Sequence, residues 1–304
     1  MDLKQLEYFV HVAEMGSFTR ASAFLRIAQP ALSRQVRALE VELRQALLQR
    51  NGRGVTPTES GKRLLAHARG ILQQVQRARD ELEAQRGAAT GRLTLALPPS
   101  ISRSLTVPLV QAFRQQLPRA SLCVVEGLSA YALEWLGIGR VDAAVVYNVT
   151  PTPAIDLQPL RAERLMLVSA RASGARRVGA PLPLRRLAEQ ALVMPSRPHS
   201  MRMRLEAALA AQGLRPRVAL EIESVPAILE LVQQGGLHAL LTENAIRGSD
   251  QAEAFALRPI TPPLVATLWL ATSAQRPRGP LLERGAAIVQ ELLKPGRTGM
   301  LHRH

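Results

Sequence analysis

Glutamine and arginine can each grip a base edge with two hydrogen bonds, glutamine on adenine and arginine on the O6 and N7 of guanine. Both occur in the run Gln29-Pro30-Ala31-Leu32-Ser33-Arg34-Gln35-Val36-Arg37. If that run is helical, Leu32, Val36 and Leu39 turn inward and leave Gln29, Ser33, Arg34 and Arg37 outward. Such a face would suit base readout in the major groove of DNA. A second cation stands in Asn51-Gly52-Arg53-Gly54, where Asn-Gly signals a hairpin. An arginine at a hairpin tip can enter the minor groove, where narrow A·T tracts concentrate negative potential. A plain helical bundle also turns a polar face to solvent, and spacing alone leaves both readings open.

The elements that must position these residues are legible around them. Leu3, Leu6, Phe9, Val10 and Ala13 recur at helical spacing and stop at Gly16. Ser17 is a natural N-cap for a short helix, Phe18 to Leu25, with Ala21 and Leu25 inward. After the turn Arg26-Ile27-Ala28, the third helix runs from Gln29 to Glu40, and Pro30 fits its first turn, where no N–H is needed. Two short helices about a tight turn are the geometry whose second helix enters the major groove. The hairpin follows over Leu47 to Thr58. Thr58 then caps a long helix, Glu59 to Gln85, whose stripe of Leu64, Leu65, Ala68, Ile71, Leu72, Val75, Ala78 and Leu82 suits helix pairing rather than a globular core. Gly87 to Gly91 reads as a linker.

This stretch resembles the DNA-binding domain of LysR-type transcriptional regulators. The resemblance lies in Leu6-Glu7-Tyr8-Phe9, Gly16-Ser17-Phe18-Thr19-Arg20-Ala21-Ser22, Gln29-Pro30-Ala31-Leu32-Ser33, Leu39-Glu40 and Arg53-Gly54-Val55-Thr56-Pro57-Thr58-Glu59-Ser60-Gly61. Two positions depart from it: Arg44 and Leu48 stand where the family has the Gly and Phe of its Gly-x-x-Leu-Phe, and Arg44 is expected to alter the turn into the hairpin. The resemblance implies a winged helix-turn-helix with Gln29, Pro30, Ser33 and Arg34 on bases and Arg53 in the minor groove. It places Thr19, Arg37 and Arg50 on phosphates, which set register but carry no sequence information. It also implies a dimer through the long helix, assembled into a tetramer, on an interrupted palindrome of double-stranded DNA. RNA polymerase is a further expected contact.

Beyond Arg92 strands alternate with helices: strands at Leu93 to Leu97, Leu122 to Glu126, Ala143 to Tyr147, Leu165 to Ser169, Ala191 to Met194, Val218 to Ile222, Ala239 to Thr242 and Leu264 to Ala271. Helices are expected over Leu105 to Gln116, Ala130 to Gly137, Ser200 to Gln212, Pro226 to Gln234 and Pro280 to Leu293. This alternation implies a mostly parallel α/β sheet. The expected organisation is a winged helix-turn-helix over 1–58, a linker helix and hinge over 59–91, and a two-lobed domain over 92–304. Lobe I would take about 92–161 and 266–304, lobe II about 162–265. The two lobes resemble the family's effector domain, similar to type 2 periplasmic binding proteins. In open α/β sheets a ligand sits beyond the C-terminal ends of the strands. Ser100, Ile101, Ser102, Ser129, Tyr147, Ser196, His199 and Thr242 follow or end such strands, and the resemblance puts a small inducer there. Ser100, Ser102 and Ser200 serve equally well as helix caps, and His199 as a surface loop residue.

Composition narrows the classes. There are 39 Lys+Arg against 24 Asp+Glu, a net charge of +15. Residues 1–90 carry 14 against 9, a balance of +5, and the remainder 25 against 15, a balance of +10. No single basic arm exists, and the charge of the second part hints at an anionic effector. Cys123 is the one cysteine, read as a small hydrophobe on a strand, and it excludes a disulfide framework or a multi-thiolate zinc site. No apolar run approaches the ~20 residues of a membrane span, and acids near the N-terminus do not suit a signal peptide, so a soluble cytoplasmic protein is expected. There is no Gly-x-Ser-x-Gly elbow and no phosphate-binding loop. His11, His67, His199 and His238 lack metal-ligand spacing, so no enzyme, metal or cofactor is expected. Two other functions fit part of the pattern: a ligand-binding protein with no DNA role, and a regulator that answers to no effector.

Overall fold

The computed structural model describes residues 1–51, 54–84, 90–174, 176–247 and 252–294. Arg53 at the hairpin tip, the end of the long helix at Gln85, most of the Gly87 to Gly91 linker, and the tail with His302 and His304 lie outside the described residues. Contacts divide the chain into an N-terminal and a C-terminal compact unit.

The N-terminal unit opens with α1 (Leu3–Met15), α2 (Phe18–Leu25) and α3 (Gln29–Leu43). Each start has a local cause. The Asp2 carboxylate accepts the Gln5 N–H at 2.8 Å while the Gln5 carbonyl oxygen accepts the Asp2 N–H at 3.0 Å, a reciprocal capping box. Ser17 Oγ accepts the Arg20 N–H at 3.3 Å. α3 has no side-chain cap, and Pro30 occupies its first turn. All three helices end on a left-handed residue: Gly16 (φ 61°), Arg26 (φ 55°) and Arg44 (φ 51°). Arg44 therefore keeps a turn that glycine would make without strain, its own N–H bonding to the Val41 carbonyl at 3.1 Å and that of Gln45 to the Glu40 carbonyl at 3.0 Å.

β1 (Leu48–Asn51) and β2 (Gly54–Pro57) pair antiparallel, and α4 (Glu59–Ala84) follows. Thr58 Oγ1 accepts the Gly61 N–H and donates to the Ala46 carbonyl. Glycine is required twice here: a Cβ on Gly54 would stand 2.6 Å from the Gly16 carbonyl oxygen, and one on Gly61 2.0 Å from that of Leu47. Leu6, Phe9, Leu39 and Leu47 form one small core, and Val12, Ala21, Leu32, Val36 and Val55 a second. The stripe of α4 divides. Leu64, Leu65, Ala68 and Leu72 pack on the first core, contrary to the expectation of pairing alone, while Ile71 and Leu82 stay exposed.

The C-terminal unit runs β3 (Gly91–Leu97), α5 (Pro99–Gln116), β4 (Ala120–Glu126), α6 (Ser129–Gly137), β5 (Ala143–Tyr147), β6 (Ile155–Ala170), β7 (Leu182–Pro183), β8 (Leu192–Met194), α7 (Ser200–Ala210), β9 (Val218–Glu221), α8 (Val225–Gln233), β10 (His238–Thr242), α9 (Glu243–Arg247), β11 (Phe255–Thr261), β12 (Val265–Ser273) and α10 (Pro280–Leu293). The strand order is β4-β3-β5-β12-β6-β10-β8-β9, with β11 also on β6 and β7 on β11. β3 is parallel to β4 and β5, and β8 to β9 and β10, as helical crossovers require. β12 and β6 arrive through short connections instead, and run antiparallel to their neighbours. The sheet is thus mixed rather than mostly parallel. β6 is one strand of 16 residues: its first part pairs β12 from Ile155 to Arg164, and its second part pairs β10 and β11 from Leu165 onward. It joins the two halves of the unit, and the chain returns between Thr261 and Val265. Cys123 lies half-buried on β4 as a free thiol.

Candidate functional site

Two sites emerge, one in each unit. On α3, Leu32, Val36 and Leu39 are buried, which turns Gln29, Pro30, Arg34 and Arg37 to solvent, with Ser33 half-buried beside them. Thr19, on the first turn of α2, is exposed as well. Arg50 is exposed on β1, its guanidinium 5.2 Å from the centre of the Phe18 ring. That placement fixes an otherwise mobile cation above the start of α2. Arg34, Arg37 and Arg50 have no ion pair among the described residues, so their charge is available to a polyanion. The left-handed Arg26 makes the turn between α2 and α3, and Gln35 is tied to Gln5 at 3.4 Å.

The second site is a cavity of about 360 Å³ between the two halves of the C-terminal unit. Ser100, Ser129 and Tyr147 line it from one half, His199 and Thr242 from the other. These five come from the ends of separate strands or the first turns of the following helices, as the strand-end rule requires. Three other expected positions lie off its wall. α5 begins at Pro99, six residues before the expected Leu105, so Ile101 and Ser102 sit inside its first turn. Ile101 is fully buried in the core, and Ser102 donates to the Glu126 carboxylate at 2.6 Å. Ser196 donates to the Glu223 carboxylate at 2.7 Å, and it is Glu223 that reaches the cavity. Nor are the serines caps: Pro98 and His199 hold those positions on α5 and α7.

Hydrogen bonds build the wall from behind. Ser129 Oγ accepts the Tyr147 N–H at 2.9 Å, joining the start of α6 to the end of β5. The Tyr147 hydroxyl donates to Glu163 at 3.0 Å, and Glu163 is paired with Arg161. Burial, reinforced by the Glu163 charge, pushes the Tyr147 phenol far above its ordinary range, so it stays protonated. Asn244 on α9 donates to the Ser104 hydroxyl at 3.1 Å and so ties the second half to α5 of the first. Burial holds the His199 imidazole below its usual value, with Glu223 opposing, so it is neutral at pH 7.

Asn148, adjacent to Tyr147, is a lining residue that strand-end reasoning passed over. Its backbone is left-handed (φ 51°), a conformation Asn tolerates, and the signal in the sequence was only an Asn directly after the strand end at Tyr147. Glu223, two residues beyond β9, was passed over too, although it stands directly after the expected strand end at Ile222. Among the described residues that line the cavity there is no arginine or lysine, so the cations that hinted at an anionic effector are not on its described wall. The N-termini of α5, α6 and α7 open onto the cavity, but each returns only about 0.3–1 kcal/mol to an anion. Dehydrating a carboxylate costs several kcal/mol.

Two family models match the chain: "Bacterial regulatory helix-turn-helix protein, lysR family" over residues 3–62, and "LysR substrate binding domain" over residues 86–294. The nitrogen assimilation regulatory protein nac of Klebsiella aerogenes is 36% identical over 96% of this chain and 94% of that protein. The HTH-type transcriptional regulator BbuR of Bordetella bronchiseptica is 30% identical over 91% of this chain and 86% of its own. Among solved structures, CbnR, a LysR family transcriptional regulator, superposes with a TM-score of 0.71 at 25% identity, covering 97% of this chain and 100% of that one. Full-length CbnR complexed with its target DNA superposes at 0.69, also at 25% identity, covering 96% and 99%.

Proposed function

The chain belongs to the LysR family of bacterial transcriptional regulators, with a DNA-binding helix-turn-helix and an effector-binding domain, and from that premise we propose how its residues divide the work. α3 enters the major groove N-terminus first. Gln29, Pro30, Ser33 and Arg34 meet base edges, Thr19, Arg37 and Arg50 meet phosphates, and Arg53 enters the minor groove. The observation that carries this is the exposed face of α3, whose arginines have no ion pair among the described residues and whose helix is held by apolar residues on the opposite side.

The operator is an interrupted palindrome, matched by a dimer formed through the exposed apolar residues of α4, two dimers making a tetramer in the cytoplasm. A small effector occupies the C-terminal cavity, touching Ser100, Ser129, Tyr147, His199 and Thr242. It shifts the assembly only as far as its affinities for the two states differ. Contact with RNA polymerase follows from work at a promoter. No catalytic step is assigned to either site; among the described residues no group of His, Cys, Asp and Glu is placed to hold a metal, and no helix is long and apolar enough to cross a membrane.

The test is a footprint of the purified protein on the DNA upstream of its own gene, at two salt concentrations. A protected pair of half-sites that weakens with salt is expected. Protection no better than on random DNA would leave a ligand-binding protein without a DNA role.

A further inference from the structure

Three buried polar atoms without a hydrogen-bond partner belong to residues of one cavity wall: Thr242 Oγ1, Asn148 Nδ2 and His199 Nδ1. They come from the end of β10, the residue after β5 and the cap of α7, so three separate elements leave polar groups unmatched around the same space. Thr242 is fully buried. An unmatched buried donor or acceptor is costly, and a cluster of them marks a place where a bound molecule completes the bonding.

The chemistry of these atoms is restricted. Asn148 Oδ1 accepts the Thr267 N–H at 2.9 Å, which fixes the amide and makes its free atom a donor. The neutral His199 ring offers one donor and one acceptor, and the Thr242 hydroxyl offers both. None carries charge. Behind Tyr147, Glu163 is engaged both by the Tyr147 hydroxyl and by Arg161. Glu223 is the one acidic side chain among the described lining residues, and a carboxylate there opposes an anion. Much of the remaining surface is apolar, from Leu128, Leu133, Val149, Met194 and Leu240.

We infer that the cavity takes an uncharged, largely apolar molecule with one polar end, where a carbonyl-type acceptor stands beside a hydroxyl or N–H. This rests on reading the cavity as the effector site and names the class of ligand. A carbonyl oxygen meets the Asn148 donor and the partial positive charge of the helix N-termini without the dehydration cost of a carboxylate. An ammonium would meet those same N-termini unfavourably.

The experiment is ligand-observed NMR on the full-length protein with a fragment library of equal numbers of neutral, anionic and cationic members. Val149→Trp and Val225→Trp fill the cavity from either half, so one serves if the other fails to fold. Fragments lost in a folded filled variant are cavity ligands. They are expected to be neutral, and the strongest to weaken about tenfold in Thr242→Val. Cavity ligands that are mainly charged, or neutral ones indifferent to Thr242→Val, overturn the inference and leave the effector reading standing. A full set of hits unaffected by filling overturns the effector reading itself.

Discussion

The arginines of α3 and β1 and a group of arginines in the C-terminal unit are placed in opposite ways. Arg34, Arg37 and Arg50 of the N-terminal unit point to solvent with no ion pair among the described residues. In the C-terminal unit Arg202 bridges Glu206 and Glu221, Arg197 meets Glu206, Arg171 and Arg177 share Glu253, and Arg278 holds Asp156. The part of the chain with the larger positive balance thus engages several of its cations internally. The part with the smaller balance pairs Lys62 with Glu59 and Arg69 with Glu14, but leaves the cations of α3 and β1 open. Net charge alone locates neither site; what decides is whether a cation has a partner and whether it faces a surface or a cavity.

That contrast can be broken by mutation. Gly61→Ala, forced against the Leu47 carbonyl, should cost about 3 kcal/mol in the N-terminal unit, read as a lowered midpoint in chemical denaturation with DNA binding lost alongside. An unchanged midpoint would mean that the approach of α4 to Leu47 is slack. Arg34→Ala should weaken the cognate operator by about 1–3 kcal/mol and relax preference at one base position. Equal weakening on random DNA would make Arg34 a phosphate contact. Arg50→Ala should weaken all sequences alike and flatten the salt dependence by about one unit of slope; titrations across a salt series decide it.

Arg44→Gly should stabilise the N-terminal unit by about 1 kcal/mol, because the left-handed conformation strains any residue with a Cβ. A loss of stability would show that the Arg44 side chain matters more than its backbone. The smallest effect is acid sensitivity, expected in the C-terminal unit. His199 and His238 are both held below 6.5 by burial. Their contribution is therefore intact above the unfolded value of 6.5 and is lost as pH falls through it toward the folded one. His199→Gln and His238→Gln should each flatten the decline in unfolding free energy below pH 6.5, and a slope that persists in both would assign it to carboxylates.

The N-terminal unit was legible almost residue by residue because its determinants are local. Ser17 and Thr58 cap where they stand, Pro30 sits in a first turn, and Leu32, Val36 and Leu39 mark the buried side of α3 at helical spacing. Arg44 was misjudged for the same reason: a missing glycine is visible locally, but the bonds from Arg44 and Gln45 back into α3 that keep the turn are not. The cavity was only half legible. Strand ends pointed to Tyr147 and Thr242, yet α5 began six residues early and carried Ile101 into the core. The antiparallel pairing of β6 and β12 depends on contacts across more than a hundred residues, and β7, β11 and α9 likewise on partners far along the chain, which periodicity does not encode.

β6 places a constraint on the effector domain. Because one unbroken strand is bonded to β12 at its start and to β10 and β11 at its end, neither half can swing free of the other. Any opening of the cavity must be taken up as twist over a few peptide units near Arg164–Leu165 and in the return at 261–265. The motion that admits a ligand is then a torsion of a shared spine rather than a parting of two bodies, and its stiffness sets how much a small molecule in the cavity can move anything beyond it.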